Sequence, residues 1–266
     1  MENNNKKIGV MGVGMVGGAL ARFFDKPLLY DKYKNIGSLE ELNSADIIFI
    51  CVPTPYKEDV GFDYSCIEEA FSSIKGNKTV VIKSTVLPGT TQKMQDKYPQ
   101  HKILFNPEFL QEKTAEQDMK NPYEQIIGYT ELSRDVAEEI LKILPKSPNE
   151  FIVSSGEAEM VKYFSNTFLA TKVVFANQAY DLCQKLGLDY DSIKKMAKAS
   201  PRFAFSHFDI WTDGYRGYGG HCLPKDTKSL IRFAEETGVE LSLLKKVDEA
   251  NDEIIKNNIT DEKTKE

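Results

Sequence analysis

The sequence predicts an α/β fold in which an N-terminal Rossmann-type, doubly wound parallel sheet is followed by an all-helical central domain with one long helix. Three observations predict this fold. Short apolar runs alternate with helical segments over the first half of the chain. A glycine-rich turn joins the first run to the first helix, and the residues from Glu157 to Leu186 contain neither glycine nor proline. We place the boundary near residue 155, which gives domains at 1–155 and 156–266.

Apolar runs are predicted to form the strands of the sheet. The run ADIIFICVP (45–53) is apolar almost throughout, so it suits a strand buried on both faces. The other strands are predicted at KIGVM (7–11), PLLYD (27–31), TVVIKST (79–85), KILFNP (102–107), EQIIGY (124–129) and EFIVSS (150–155). Helical spacing is found between them in VGGALARFF (16–24), DYSCIEEAFSSI (63–74), TTQKMQDKY (90–98) and SRDVAEEILKIL (133–144).

The second domain is predicted to be helical. The stretch 157–186 suits one helix about 45 Å long, and such a helix usually spans two domains or forms an interface. Further helices are expected at 189–200, 225–237 and 242–258, with a frayed polar tail after them. The segment 201–221 is rich in aromatic residues and glycine without periodicity, which is typical of a binding loop.

Composition narrows the function classes. A net charge of −6 disfavours a nucleic-acid partner, and no apolar run is long enough to cross a membrane. The four cysteines include no CxxC pair and the three histidines lie far apart, so we expect neither a disulfide framework nor a metal site. Reduced thiols of this kind favour a cytoplasmic protein.

The turn GVMGVGMVGGAL carries a dinucleotide fingerprint. Gly12, Gly14 and Gly17 have GxGxxG spacing between a strand and a helix, and Asp31 ends the next strand. Gly12 permits the turn, Gly14 admits a pyrophosphate, and Gly17 allows close packing of helix and strand. The helix N terminus then faces the phosphates with unpaired N–H groups.

Asp31 indicates which dinucleotide is bound. Its carboxylate can accept hydrogen bonds from both ribose hydroxyls and would repel a 2′-phosphate, so NAD is favoured over NADP. Lys32 and Lys34 beside it weaken that preference.

Two other features have more than one interpretation. Lys162 and Asn166 are spaced i, i+4, so they share one helix face, where they could stabilise an oxyanion or form a solvated polar stripe. Cys222, in GYGGHCLPKD, could be a metal ligand, half of a disulfide, a buried apolar side chain or a nucleophile.

Six motifs in order resemble those of the UDP-glucose/GDP-mannose dehydrogenases. They are GVGMVG (12–17), VPTP (52–55), KSTVLPGT (83–90), NPEFLQE (106–112), EMVKYFSNTFLA (159–170) and GYGGHCLPKD (217–226). The resemblance runs from about Lys7 to Asn257. These enzymes use NAD twice to oxidise the C6 alcohol of a nucleotide sugar to a carboxylate, and PKD after the cysteine favours the UDP-glucose-like branch.

The resemblance implies roles for individual residues. Cys222 would be the covalent nucleophile, Lys162 and Asn166 would hold the O6 oxyanion, Glu108 would be the general base, and Asp226 would organise water. Thr85 would position a water for Glu108 and border the nicotinamide. The expected substrate contacts also include Phe109, Leu110, Tyr218, Gly219 and Gly220. The expected cofactor contacts are Gly12, Val13, Gly14, Met15, Val16, Gly17, Asp31, Val52, Pro53, Thr54, Ser84, Thr85 and Glu112. A homodimer through the long helix is also implied.

The chain departs from the family pattern in several places. It ends about where family members begin a third domain that covers the nucleotide, which leaves recognition of the base open. A partner subunit could replace that domain, the substrate could be smaller or different, or the sequence could be a truncated form. The stretch from Asp31 to Asp46 is shorter than usual. Ser206 stands at the spacing of the family's RIG segment, with Arg202 and His207 nearby, and the NPDR-like stretch reads NPYE (121–124).

The sequence is therefore compatible with three functions. The first is a four-electron nucleotide-sugar dehydrogenase that needs Cys222. The second is a two-electron dehydrogenase of the 3-hydroxyacid type, which does not need this cysteine. The third is a non-catalytic module that binds NAD or a sugar nucleotide.

Overall fold

The computed structural model describes residues 6–111, 113–202, 206–212 and 214–263, with side chains up to residue 257. The chain divides into two compact units, one ending at Lys162 and the other beginning at Tyr163. The long helix that starts at Ser155 contributes to both units, and the division falls two turns inside it.

The first unit contains a seven-stranded sheet and a two-stranded hairpin. The sheet strands are β1 (Ile8–Met11), β2 (Leu28–Tyr30), β3 (Ile47–Ile50), β6 (Thr79–Ile82), β7 (Lys102–Phe105), β8 (Gln125–Tyr129) and β9 (Glu150–Ser154), and the hairpin is β4 (Tyr56–Lys57) with β5 (Gly61–Phe62). The helices are α1 (Met15–Phe23), α2 (Leu39–Leu42), α3 (Ser65–Ser73), α4 (Thr90–Lys97), α5 (Ala115–Lys120), α6 (Ala137–Ile143) and the start of α7 (Ser155–Leu186).

The sheet has the order β2-β1-β3-β6-β7-β8-β9, so the chain reverses direction across the sheet between β1 and β3. Ligands of doubly wound folds bind at this switch point, beside the carboxyl ends of the strands.

The predicted fold is therefore confirmed, with one difference in strand direction. β8 runs antiparallel to β7, while β9 is parallel to β8. The link from β7 to β8, which contains the six-residue α5, is as long as the link between the parallel strands β6 and β7. The length of the link therefore does not explain the reversal of β8.

Two apolar layers cover the sheet, and alternate residues of each central strand enter opposite layers. In β3, Ile48 and Ile50 pack into the layer with α3, while Ile47 and Phe49 pack into the layer with α1. All four side chains are buried, as the unbroken apolar run predicts. This two-sided burial holds the carboxyl ends of β1, β3 and β6 in register.

The second unit is helical. It comprises the rest of α7 together with α8 (Tyr190–Lys198), α9 (Cys222–Glu236) and α10 (Ser242–Lys263). α9 begins at Cys222, earlier than the sequence predicts, and Pro224 lies in its first turn, where a missing N–H breaks no helical hydrogen bond. α10 continues to Lys263, five residues beyond its predicted end, and residues 264–266 of the predicted tail lie outside the described ranges. Of the helices in the described ranges, none combines the length and apolar character that crossing a membrane requires.

Candidate active site

The glycine turn after β1 is shaped by close backbone approaches. Gly12 has a φ of +87° and its added Cβ would lie 2.6 Å from the Cys51 carbonyl oxygen. A Cβ on Gly17 would lie 1.8 Å from the Gly12 carbonyl oxygen. Both positions therefore require glycine for the fold itself.

Gly14 differs from these two glycines, because an added Cβ there would meet nothing within 4 Å. Its backbone conformation is extended, with φ −77°, so the chain itself does not require glycine. The space beside it lies at the N terminus of α1, whose first N–H groups have no helical partner. The turn therefore fits a dinucleotide pyrophosphate, which needs a bare backbone and N–H donors.

The Asp31 carboxylate accepts hydrogen bonds from three backbone N–H groups. Its Oδ2 accepts the Val13 N–H at 2.8 Å, and its Oδ1 accepts the Tyr33 and Lys34 N–H groups at 3.0 Å each. Burial alone would raise the pKa of Asp31, but these three N–H groups hold it below its ordinary value. A carboxylate has about four acceptor positions, so Asp31 has about one left for a ribose hydroxyl, where the sequence predicts that it serves both.

A largely apolar pocket with about 520 Å³ of empty space adjoins Asp31. Its floor is formed by the ends of β1 and β3, and one wall by α3. The lining residues include Gly12, Asp31, Val52, Pro53 and Ala70. The pocket suits the adenosine half of a dinucleotide.

The VPTP and KST segments meet at the carboxyl ends of β3 and β6. The Thr54 hydroxyl donates to the Thr85 carbonyl at 2.8 Å, and the Ser84 hydroxyl donates to the Val52 carbonyl at 2.7 Å. The structure thus brings four predicted cofactor contacts together. Met15 and Val16 form the first turn of α1, whereas the predicted contact Glu112 lies outside the described residues.

Glu108 and Lys162 form a buried ion pair. The Lys162 Nζ lies 3.0 Å from Glu108 Oε1, donates to the Glu108 carbonyl at 2.7 Å, and lies 5.4 Å from the Phe109 ring centroid. The other carboxylate oxygen accepts the Leu110 N–H at 2.9 Å. Burial would raise the pKa of Glu108, but Lys162 and the Leu110 N–H hold it below its ordinary value. Glu108 is therefore an anion, which is the form that a general base requires.

Two groups beside this pair were not predicted from the sequence. Buried Lys83 donates to the Asn106 side chain at 2.5 Å, and burial lowers its pKa to about 8. The Glu159 carboxylate accepts the N–H groups of Gly89 (2.6 Å) and Thr91 (2.7 Å) and the Thr91 hydroxyl (2.6 Å). Glu159 thereby ties α7 to the start of α4 one turn before Lys162. The sequence signal for both residues is that they begin the motifs KSTVLPGT and EMVKYFSNTFLA.

In the second unit, Asn166 and Asp226 are in direct contact. The Asn166 amide donates to Asp226 Oδ2 at 2.5 Å, and Lys225 Nζ lies 2.5 Å from Asp226 Oδ1. Asp226 is only 1% exposed. Cys222 precedes it by four residues on α9, hence on the same helix face, and is exposed at the first helical residue. The thiol therefore lies beside the positive end of the α9 dipole.

The three residues expected to surround the sugar differ in exposure. Tyr218 is buried, its main chain exchanges two hydrogen bonds with the Asn251 side chain, and its hydroxyl donates to Asp248 at 3.0 Å. A Cβ on Gly219 would lie 2.7 Å from the Tyr215 hydroxyl, whereas a Cβ on Gly220 would meet nothing within 4 Å. Gly220 is thus the position with room beside it, and Tyr218 anchors the loop to α10.

Other predicted features are placed as follows. Ser206, at the RIG spacing, accepts from Lys172 at 3.3 Å. The four cysteines, all among the described residues, form no disulfide with one another. Among the described side chains, no three acidic, histidine or cysteine residues come together in a way that could hold a metal ion.

Comparison with known proteins places these features in a family. Sequence models of the UDP-glucose/GDP-mannose dehydrogenase family match the chain twice, the NAD binding domain over residues 26–144 and the central domain over residues 156–253. The chain is 38% identical over 215 residues to a UDP-glucose 6-dehydrogenase from Campylobacter jejuni, covering 79% of this chain and 53% of that protein. It spans about half the length of the curated relatives it matches, from 49% to 60%.

Solved structures agree with the fold. A UDP-glucose dehydrogenase from the hyperthermophilic archaeon Pyrobaculum islandicum superposes with a TM-score of 0.84 at 28% identity, over 94% of this chain and 69% of that one. A 3-hydroxyisobutyrate dehydrogenase from Mycobacterium tuberculosis superposes with a TM-score of 0.74 over 95% of this chain and 94% of that one. Its 15% identity shows a shared fold alone. The family matches confirm the predicted resemblance and NAD as the cofactor.

Proposed function

Because the chain belongs to the UDP-glucose/GDP-mannose dehydrogenase family, we propose that it catalyses the NAD-dependent, four-electron oxidation of the C6 alcohol of a nucleotide sugar to the carboxylate. The substrate class is taken to be a UDP-sugar, as in the Campylobacter relative's name. The observation that carries the proposal is the arrangement on α9. An exposed cysteine begins the helix, and one turn later a buried aspartate binds the Asn166 amide.

The reaction needs an intermediate that is held by the protein, because a free aldehyde would diffuse away. The first oxidation removes a hydride from C6 and the proton from O6, and gives the aldehyde. The Cys222 sulfur then bonds to C6, and O6 takes up a proton to give a thiohemiacetal. A second loss of hydride and proton gives a thioester. Water attacks it, the C–S bond breaks, and the carboxylate and free thiol are released. Bound NAD would supply the hydride acceptor for both oxidations.

Charged and polar side chains are assigned to the oxygen atoms of the substrate. Lys162 and the Asn166 amide stabilise negative charge on O6, because they are an ammonium and an amide one helical turn apart on α7. Glu108 accepts the proton from O6, directly or through a water that Thr85 positions. Its low pKa keeps the acceptor ionised at neutral pH. The assignment of residues from both units to one reaction follows from family membership.

Asp226 is assigned to the hydrolytic step. Its carboxylate accepts from Asn166 and pairs with Lys225, so its orientation is fixed before substrate arrives. A carboxylate fixed in this way can orient a water by accepting one of its hydrogens. It lies one helical turn from the sulfur that carries the thioester.

The test is to count NADH formed for each sugar acid produced, with UDP- and GDP-sugars offered in parallel. Two NADH for each acid are expected from one sugar of the panel. Cys222→Ser should abolish acid formation and leave NAD affinity unchanged. Cys183→Ser, which changes a buried thiol of α7, is the matched control and should retain turnover.

The competing functions give different results in the same experiment. One NADH for each turnover with unchanged activity in Cys222→Ala would favour the two-electron dehydrogenase. NAD binding by calorimetry without NADH formation on any sugar would favour a binding module.

We also propose a homodimer formed through α7. Five exposed apolar side chains recur on this helix at spacings of four and seven residues, so they share one side: Phe164, Phe168, Phe175, Leu182 and Leu186. Phe175→Asp should give a monomer by light scattering. The control Gln184→Asp lies on the opposite side of the same helix and should leave the mass unchanged. A monomeric wild-type chain would refute the dimer.

A further inference from the structure

Lys32 and Lys34 follow Asp31 closely in the sequence, and Lys32 also lines the cofactor pocket beside it. Lysines beside the acidic residue of a Rossmann fingerprint would ordinarily attract the 2′-phosphate of NADP. Asp31 cannot settle the choice alone, because three of its roughly four acceptor positions are taken by Val13, Tyr33 and Lys34. The partners of the two lysines therefore matter.

Each lysine has a partner within the chain. The Lys34 Nζ donates to the Val13 carbonyl at 2.7 Å, so it is directed at the glycine turn. The Lys32 Nζ lies 2.5 Å from Glu69 Oε1, on α3 across the pocket, and 5.9 Å from the Tyr33 ring centroid. Lys32, Tyr33 and Glu69 all line the same pocket as Asp31. The Lys32 ammonium is thus already paired, and a phosphate that bound it would compete with the Glu69 carboxylate.

We propose that Glu69 is a second specificity residue for NAD, which neutralises Lys32 and adds a negative charge to the pocket wall that faces the ribose. With Glu69, the charged side chains lining the pocket are two carboxylates and one ammonium. Without Glu69, the Asp31 carboxylate and the Lys32 ammonium remain, and the ammonium is available to a phosphate. The pairing also raises the pKa of Lys32, so this lysine stays charged. The inference rests on the NAD site and is independent of the chemistry at Cys222.

The pair is exposed, with 56% and 53% of the two side chains accessible, so its effect acts through solvent and is moderate. Glu69→Gln should raise NADP affinity relative to NAD affinity on the order of fivefold at low salt. The gain should shrink when salt is added, because exposed charges are screened. A purely structural effect of the substitution would not depend on salt in this way.

The experiment is calorimetric titration of the full chain with NAD and with NADP. Glu68→Gln is the matched control, because Glu68 is the preceding residue of α3 and pairs instead with Lys97 at 3.3 Å; its NADP-to-NAD ratio should equal that of the wild type. In the double variant Lys32→Met/Glu69→Gln, the ratio of NADP affinity to NAD affinity should return to the wild-type value.

The inference would be overturned if Glu69→Gln left the ratio of NADP affinity to NAD affinity unchanged. It would also be overturned if the increase in this ratio persisted when Lys32→Met was added. Absence of NAD binding to the wild type would overturn the cofactor site and this inference together. NAD binding with the expected shift, but without oxidation of any sugar, would support the inference and refute the proposed function alone.

Discussion

Glu108 and Asp226 are buried carboxylates in different units, and each is held by a side chain of α7, but the two partners differ in kind. Glu108 is paired with the Lys162 ammonium at 3.0 Å. Asp226 accepts from the neutral Asn166 amide at 2.5 Å and has Lys225 as its cation. The α7 helix therefore holds two acids that depend on it to different degrees. Glu108 relies on α7 for its charge partner, whereas Asp226 has its charge partner on α9.

The largest effect on stability is expected from Lys162→Met. The substitution leaves Glu108 as a buried carboxylate without a cation at 3.0 Å, and breaking a buried pair in this way costs about 3–5 kcal/mol. Urea denaturation at neutral pH measures the loss. The loss should shrink at acidic pH, because an unpaired buried carboxylate takes up a proton.

Lys142→Met is the control for this variant, because Lys142 also pairs with a glutamate but is exposed, at 3.3 Å from Glu138. Its cost should stay below about 0.5 kcal/mol. Equal costs for the two variants would contradict the view that Lys162 is needed to keep Glu108 charged.

Asn166→Ala should cost less, about 2 kcal/mol, because a hydrogen bond to a charged group contributes about 1.5–3 kcal/mol and Lys225 still pairs with Asp226. The same denaturation assay measures it. Gln92→Ala removes an exposed amide-to-carboxylate bond to Asp96 (2.8 Å) and serves as control. A loss of stability in Asn166→Ala as large as that in Lys162→Met would contradict the view that Lys225 keeps Asp226 paired when Asn166 is removed.

Glu159 is a third buried carboxylate, held by N–H and hydroxyl groups, with Lys93 acting on it only as a minor electrostatic influence. Burial raises its pKa from the ordinary 4.5 to about 6. The folded chain therefore binds a proton more tightly than the unfolded chain does, and the stability from this group, complete below about pH 4.5, is lost as pH rises through about 6. Relative to Glu159→Gln, the wild type should lose about 2 kcal/mol between pH 4.5 and 7. A pH-independent difference between the two proteins would contradict this.

The smallest effect on stability is expected from Gly14→Ala, because nothing lies within 4 Å of the added Cβ. The free energy of unfolding should change by less than about 0.5 kcal/mol, while NAD affinity should fall on the order of tenfold, since the methyl group occupies the space a pyrophosphate needs. Gly17→Ala is the contrast, because its Cβ would lie 1.8 Å from the Gly12 carbonyl oxygen. That variant should lose stability as well.

The sequence alone determined the features that depend on neighbouring residues. The GxGxxG turn, the apolar run of β3 and the glycine-free stretch of α7 each carry a local signal, because turn geometry and the periods of strand and helix are set within a few residues. The order of six motifs likewise identified the family and NAD before any contact was known.

Which distant groups meet depends on the packing of separate elements. The direction of β8, the pairing of Glu108 with Lys162 across 54 residues, and the position of Glu69 opposite Lys32 depend on how separate elements pack. Asp31 shows the reason most directly. The sequence marks it as a ligand for ribose, but in the folded chain its carboxylate accepts the N–H groups of Tyr33 and Lys34 in its own turn and that of Val13 in the glycine turn. Turn N–H groups that have no helix or strand partner bind a nearby aspartate in this way, and the Val13 contact forms only when the two turns are brought together.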